Sequence, residues 1–182
     1  MDFKKTALIL IDLQKGVTSV EVKPHSSGEI IANANKLIKK FRDKGGFIAF
    51  VKSSFLDQKD SLEADLKLRA ISDVKDGFDD FDDRLDIKED DYVVIKRGFS
   101  GFFGTDLDLE LRRHGIENIV FVGISSHIGI DTSARDAYQL NYKIYIIEDA
   151  IAAPKQNQHD FVVDEIFPVY GQILKTKDFL NL

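Results

Sequence analysis

The stretch TALILID, residues 6–12, decides the fold, because a continuous apolar run there ends in an acid. Its length, its branched residues and its lack of alternation are typical of a strand that is buried on both faces. Similar short apolar runs occur at residues 47–51, 92–96, 118–123 and 142–147. Strands buried on both faces belong to parallel sheets that carry helices on both sides.

Helical signals fill the segments between these strands. A helix is predicted between the serines at 26–27, either of which can cap its start, and the glycines at 45–46, which can end it. A weaker helical pattern covers residues 61–71. The first of these helices has apolar residues at helical spacing, namely Ile30, Ile31, Ala34, Leu37, Ile38 and Phe41.

Three further helices are predicted in the second half of the chain. A capping box of threonine and aspartate opens a helix over residues 105–114, and Gly115 closes it. Another helix covers residues 126–140, and a third covers residues 157–170, with an interruption or end near Pro168. The predicted inner face of the helix over 126–140 carries Ile128, Ala134, Ala137 and Tyr138.

Strand and helix therefore alternate from one end of the chain to the other, with a sixth strand predicted at residues 171–175. This alternation is typical of a parallel sheet covered by helices on both faces. We predict an α/β fold, a single three-layer doubly wound domain over residues 1–182 with a mainly parallel sheet of about six strands. No internal repeat or long linker divides it.

Composition excludes several classes of protein. The 182 residues are 43% hydrophobic and 31% charged, which is ordinary for a globular protein. Because 31 acids outnumber 25 Lys and Arg, we expect no nucleic-acid partner bound through bulk charge. The sequence lacks a signal-peptide pattern and a run of about 20 apolar residues, so we expect a cytoplasmic protein with no membrane partner. There is no cysteine, which excludes disulfides, thiolate metal sites and a cysteine nucleophile.

Two patterns that could indicate a metal or a phosphate are interpreted as neither. The acidic segment 77–91 fails the glycine and glutamate positions of a calcium loop, so it is predicted to be a solvated surface loop. The glycine-rich stretch GFSGFFG, residues 98–104, lacks the phosphate-loop pattern, and its phenylalanines suggest either a pocket lining or core. The scattered histidines His25, His114 and His159 have no metal-ligand spacing. We therefore expect no metal and no other cofactor.

The candidate site lies at the carboxyl ends of the strands, where ligands bind in such sheets. Asp12 ends the first strand and Lys96 the third, the turn 123–129 follows the fourth, and Asp149 ends the fifth. A carboxylate beside an ammonium can hold or exchange a proton, and the start of a helix can stabilise developing negative charge. A buried ion pair that only closes the strand ends is an equally weighted alternative.

The turn 123–129 holds further candidates. His127 suits either a base or a substrate contact, although a histidine at a helix start is more often a surface group. Ser125 and Ser126 lie between strand and helix, as a nucleophile elbow would, but the G-x-S-x-G pattern is missing.

In the order of its motifs, the chain resembles the isochorismatase-like hydrolases, which are relatives of nicotinamidase. The segment ALILIDLQ resembles that family's strand-Asp-x-Gln opening, and KRGFSGFFGTDLDLELRRHGI resembles its Lys, Phe-Ser-x-Phe and helix. GISSHIGIDTSARDAYQLNY, followed by IIEDAIAA, is similar to its glycine, small-residue turn and Thr-Ala-x-Asp-Ala segment. The tail GQILKTKDFL is similar to its last strand, so the resemblance covers nearly the whole chain.

The resemblance assigns roles to individual residues. It implies that Asp12 is the catalytic acid or base, that Lys96 is its partner, and that Gly129 occupies the place of the usual nucleophilic cysteine. Members that hydrolyse isochorismate also lack this cysteine, and some carry His-Ile-Gly, as residues 127–129 do here. The family's Asp-x-His metal motif is missing. The resemblance also implies a cis peptide between Ile124 and Ser125, which would aim the N–H groups of Ser125 and Gly129 into the site.

Three hypotheses on function follow. In the first, Asp12 protonates a vinyl ether, Lys96 holds the Asp12 charge and orients a substrate carboxylate, and Phe99 and Phe102 line a ring pocket, with Ser125 and His127 as further substrate contacts. In the second, the chain is a catalytically silent relative that binds a small carboxylated ligand. In the third, it is an amidohydrolase that uses Ser125 or Ser126. The partners expected are a small-molecule substrate and further copies of the chain, as a homodimer or larger oligomer.

Overall fold

A computed structural model describes residues 1–57, 60 and 77–182 of the chain. The helix predicted over residues 61–71 lies outside the described residues. Six strands form one sheet in the order β3-β2-β1-β4-β5-β6, and every neighbouring pair is parallel. The α/β fold and its parallel sheet are therefore confirmed. The strands are β1 (Thr6–Ile11), β2 (Phe47–Ser53), β3 (Tyr92–Lys96), β4 (Asn118–Ile124), β5 (Lys143–Ala152) and β6 (Gly171–Leu174).

Helices cover both faces of the sheet. One core cluster joins the helices Ser27–Lys44 and Thr176–Leu180 to one face of the sheet. A second joins the helices Leu107–Arg113 and Asp131–Gln139 to the other face, which gives three layers. The helices are α1 (Lys15–Thr18), α2 (Ser27–Lys44), α3 (Leu107–Arg113), α4 (Asp131–Gln139), α5 (Gln156–Phe161), α6 (Phe167–Tyr170) and α7 (Thr176–Leu180). A short 3-10 helix (Phe3–Lys5) precedes β1, and π-helical turns (Ser126–Ile130 and Val162–Ile166) precede α4 and α6.

The helix α2 ends where its sequence predicts. Ser26 caps its start, because its hydroxyl accepts a hydrogen bond from the Glu29 N–H while the Glu29 carboxylate accepts one from the Ser26 N–H. Gly45 ends it with a φ of +69°, in the left-handed region that glycine enters without a steric penalty. The intervening apolar stripe is buried against the sheet.

Several local predictions are wrong, each because a tertiary contact overrides the local pattern. The strand β3 lies at the sheet edge, so Val93 and Ile95 are exposed and the strand is only half buried. The predicted capping box at α3 does not form, since the Thr105 hydroxyl donates to the Gly101 carbonyl and Asp106 precedes the helix. Tyr138 is exposed on α4 rather than facing the core. By contrast, the predicted interruption near Pro168 is present, because α6 begins at Phe167 and Pro168 stands in its first turn, where its missing N–H costs no hydrogen bond.

The structure around Asp149 and within the acidic segment 77–91 also differs from expectation. The strand β5 continues past Asp149, whose carboxylate accepts hydrogen bonds from the N–H and hydroxyl of Thr176, both at 2.7 Å. Within the segment 77–91, Asp82 is buried and accepts a hydrogen bond from the Thr18 hydroxyl at 2.6 Å. Hydrogen bonds from Arg84 and Thr18 hold the pKa of Asp82 well below its usual range. This part of the loop is therefore packed onto the domain rather than solvated.

The close approach of β1 and β4 generates a stability prediction at Gly123. This residue has a φ of +130°, and a Cβ there would lie 2.0 Å from the Ile11 carbonyl oxygen. Gly123→Ala should lower the free energy of unfolding by about 3 kcal/mol or more, because strain and a backbone clash combine. The control is Gly104→Ala, at a φ of +70° with open space around the new Cβ, which should cost about 1 kcal/mol. Equal losses in urea unfolding would contradict this account.

Candidate active site

An acid and a lysine meet at the carboxyl edge of the sheet. Asp12 follows β1, Lys96 ends β3, and the Lys96 Nζ lies 2.8 Å from the Asp12 Oδ2. Only 2% of the Lys96 side chain and 11% of the Asp12 side chain are exposed. Asp12 also has a φ of +52°, which is rare for a residue other than glycine and is characteristic of strained functional sites. The predicted pairing of these two residues is therefore present in the structure.

The Asp12 carboxyl is adapted to carry a proton. Burial raises the pKa of Asp12 above its ordinary value, although Lys96 and hydrogen bonds from Ser53 oppose that rise. A carboxyl with a raised pKa is the usual form of a general acid near neutral pH. The geometry is thus suited to proton transfer from Asp12.

Ser53, which sequence analysis did not single out, and Gln14, the glutamine of the Asp-x-Gln opening, hold this pair in place. Ser53, the last residue of β2, donates to the Asp12 Oδ1 from its N–H at 3.1 Å and from its hydroxyl at 3.2 Å. Gln14 holds the backbone of Ser53, since its Oε1 accepts from the Ser53 N–H at 2.8 Å and its Nε2 donates to the Ser53 carbonyl at 3.0 Å. Ser53 gave no sequence signal, because it lies beyond the predicted strand 47–51 and β2 continues to it.

Gly129 completes the centre of the site. It belongs to the π-helical turn that follows β4, and a Cβ at this position would lie 3.3 Å from the Asp12 Oδ2. The same Cβ would lie 3.0 Å from the Ile11 Cγ2 and 3.8 Å from the Phe99 carbonyl. The glycine therefore lets this turn approach the acid closely, at a position where even a Cβ would be tight.

One feature that the resemblance implied is present in the turn before Gly129. The Ile124–Ser125 peptide is cis. The Ser125 Oγ lies 2.7 Å from the His127 Nδ1, and burial lowers the pKa of the half-buried His127, so its neutral form is favoured. Ser126 is fully buried, and its hydroxyl has no hydrogen-bond partner among the described residues. The orientation of the Ser125 and Gly129 N–H groups toward a substrate stays a prediction.

The phenylalanines of the loop before α3 divide into two environments. Phe99 is 46% exposed, and its backbone borders the space at Gly129. Phe102 is buried in the core cluster on the α4 side, with its ring 6.2 Å from that of Tyr142, which agrees with the alternative that it is core beneath the loop; its place in a ring pocket stays a prediction. The loop is fixed to α4 by a hydrogen bond of 2.5 Å from the Ser100 hydroxyl to Asp136.

Other predicted groups lie away from this centre. Asp149 is engaged with α7, as described above, and does not join Asp12 and Lys96. His25 and His159 are not scattered, because both face Glu148, at 3.1 Å and 3.7 Å from its Oε1. Even so, no group of three or more His, Cys, Asp or Glu residues in the described ranges could hold a metal ion. Across those ranges, too, no helix is long and apolar enough to cross a membrane.

Comparison with known proteins identifies the family. The sequence-family model for the isochorismatase domain matches residues 6–178 of this chain. The chain belongs to the isochorismatase family. It is 39% identical to the isochorismatase family protein YwoC of Bacillus subtilis, over all of this chain and 95% of that protein. It is 33% identical to the ureidoacrylate amidohydrolase RutB of Acinetobacter baylyi, over 99% of this chain and 73% of that protein.

Solved structures agree with this assignment. An isochorismatase family protein from Burkholderia thailandensis superposes with a TM-score of 0.91 at 32% identity, covering 96% of this chain and 93% of the other. The N-carbamoylsarcosine amidase of Thermoplasma acidophilum superposes with a TM-score of 0.72 at 27% identity, over 94% and 96% of the two chains. The chain is thus a member of a family of hydrolases whose characterised relatives include amidohydrolases.

Breaking the buried pair should make stability depend on pH. In Lys96→Met the Asp12 carboxylate stays buried without its partner, which costs about 3–5 kcal/mol of unfolding free energy at neutral pH. The folded-state pKa of Asp12 is already raised, and losing Lys96 raises it further, so the loss relative to wild type grows with pH between these two folded-state pKa values and is smallest below both.

The measurement is urea unfolding at several pH values. The matched control is the double variant Asp12→Asn/Lys96→Met, which has no carboxyl at residue 12, so its unfolding free energy should show no pH dependence from that residue. A single variant whose deficit matches that of the double variant at all pH values would contradict the assignment of the pH dependence to Asp12.

Proposed function

We propose that this chain is a cysteine-independent hydrolase that cleaves a vinyl ether of the isochorismate type, with Asp12 as general acid. The observation that carries the proposal is the buried Asp12 carboxyl, which is paired with Lys96 and whose Oδ2 lies beside Gly129. An amide hydrolase of the cysteine type would need a thiolate at that place, and the chain has no cysteine. Acid chemistry needs only a positioned proton and room for the substrate carbon.

The reaction is balanced with one water molecule. The protonated Asp12 donates its proton to the terminal vinyl carbon, and the ether carbon becomes a cationic oxocarbenium. A water oxygen then bonds to that carbon, and the surplus proton returns to the Asp12 carboxylate. In the resulting hemiketal, the hydroxyl proton moves to the ether oxygen that is attached to the ring. The bond between that oxygen and the hemiketal carbon breaks at the same time. The products are pyruvate and the ring alcohol, and the acid is regenerated.

The remaining features extend the proposal. Phe99, half-exposed beside the space at Gly129, offers an apolar surface to a ring. Ser125 and His127 offer polar contacts in the same turn. We also propose a cytoplasmic homodimer or larger homo-oligomer, as the family resemblance implies, with no cofactor and no metal.

The test is turnover of isochorismate, followed by pyruvate release. Asp12→Asn preserves the size of the side chain but carries no transferable proton, so turnover should fall about 10²–10⁴-fold. Folding should survive better than in Lys96→Met, because an amide tolerates burial without a counter-charge. A variant with near wild-type rate would remove Asp12 from the mechanism. Wild-type protein that binds a small carboxylate but never turns it over would favour the catalytically silent alternative.

A second candidate function is favoured by the Ser125–His127 hydrogen bond of 2.7 Å. Here the Ser125 Oγ would attack an acyl carbon and pass its proton to the His127 Nδ1. The proton would then leave with the departing group, and water would hydrolyse the acyl-enzyme. This candidate predicts that p-nitrophenyl acetate acylates the protein once.

In that case Ser125→Ala should abolish both the acylation, seen as a mass increase, and the ester hydrolysis. Ser126→Ala is the matched control, because it removes a buried hydroxyl with no described partner and should retain both signals. Absence of acylation in the wild type would exclude the serine mechanism.

A further inference from the structure

The ammonium of Lys96 has all its hydrogen-bonding capacity engaged inside the protein. Its Nζ lies 2.8 Å from the Asp12 Oδ2, donates to the Ser53 Oγ at 2.8 Å, and donates to the Gly98 carbonyl at 3.2 Å. An ammonium has three donors and no acceptor, so these three partners use every one. With only 2% of the side chain exposed, Lys96 has no donor left to orient a substrate carboxylate.

The engaged lysine fixes the direction of the neighbouring hydrogen bond. Because Lys96 can only donate, the Ser53 Oγ must accept from it. The single hydroxyl hydrogen of Ser53 is then directed to the Asp12 Oδ1, at 3.2 Å. The Ser53 N–H, which is shared with Gln14, also points at this oxygen, at 3.1 Å.

The two oxygens of Asp12 are therefore not equivalent. Two donors from Ser53 occupy the Oδ1, and a proton there would be directed against them. Among the described residues the Oδ2 receives one donor, from Lys96, and it is the oxygen 3.3 Å from the position of a Cβ on Gly129. A proton on the Oδ2 can point toward Gly129, which has no side chain.

We propose that Ser53 is a positioning residue that holds the acidic proton of Asp12 on the Oδ2, the oxygen that faces Gly129. The inference rests on the proposed role of Asp12 as proton donor. Ser53 touches no reacting atom; it acts by occupying the Oδ1 and by completing the hydrogen bonds of Lys96. Lys96 is the charged group that faces Asp12, and in this arrangement it too is a positioning residue.

The decisive experiment titrates Asp12 itself and needs no substrate. The carboxyl carbon of Asp12 is followed by NMR in the full-length ¹³C-labelled chain, and its signal is identified by its loss in Asp12→Asn. Ser53→Ala removes a donor to the carboxylate and should move the titration midpoint of Asp12 to higher pH. Ser53→Thr keeps the hydroxyl and should restore the wild-type midpoint. Ser53→Cys, of nearly the same size but a weak donor, should also move it upward if Ser53→Ala does not fold.

The matched control is Ser54→Ala, because the Ser54 hydroxyl bonds to Asp79 rather than to Asp12 and the midpoint should stay unchanged. An unchanged or lower midpoint in both Ser53→Ala and Ser53→Cys would overturn the proposal. Where isochorismate is turned over, Ser53→Ala should also lower kcat about tenfold at unchanged KM and move the alkaline limit of activity upward. A chain without turnover would refute the proposed function while the titration still decides the role of Ser53.

Discussion

The structure of this site depends on burying one carboxylate and one ammonium together at the end of a parallel sheet. Neither charge tolerates that environment alone, since the cost of removing an ion from water is several kcal/mol. The pairing of Asp12 and Lys96 at 2.8 Å offsets this cost, and hydrogen bonds from Ser53 and to Gly98 satisfy the remaining polar atoms. The compensation is incomplete, because burial still raises the pKa of Asp12 above its ordinary value.

The strand order explains why three separate segments can build this pair. Because the order is β3-β2-β1-β4, the strand ends that carry Lys96, Ser53 and Asp12 lie side by side, and β4 delivers Gly129 from the other side of β1. Strands β2 and β3 are added on one side of β1 and strands β4 to β6 on the other, so the strand order switches between β1 and β4, which is where doubly wound folds place their ligands. The rigid sheet therefore positions the acid, while the π-helical turn after β4 shapes the space in front of it.

Sequence analysis predicted what local patterns determine and missed what tertiary contacts determine. Continuous apolar runs predicted the strands, and the glycine at 45 and serine at 26 predicted the ends of α2, because those signals lie within a few residues of their effects. The pairing of Asp12 with Lys96 was predictable because both stand at the carboxyl ends of predicted parallel strands. Ser53 was not, since its role requires β2 to lie between β1 and β3. The contacts of His25 and His159 with Glu148, and of Asp149 with Thr176, likewise depend on which elements meet in space.

Gly129 stands where the resemblance places a nucleophilic cysteine, and this difference bears on the proposed chemistry of Asp12. A Cβ at residue 129 would lie 3.3 Å from the Asp12 Oδ2. A nucleophilic side chain there would therefore occupy the position that a substrate carbon needs in order to take a proton from this oxygen. In a thiol enzyme Asp12 would exchange its proton with the neighbouring sulfur. In the proposed acid mechanism, with no side chain at residue 129, the same carboxyl gives its proton to the substrate instead. We infer that the difference between a thiol mechanism and the proposed one lies in the side chain at residue 129, while the Asp12–Lys96 pair and its hydrogen bonds from Ser53 stay the same.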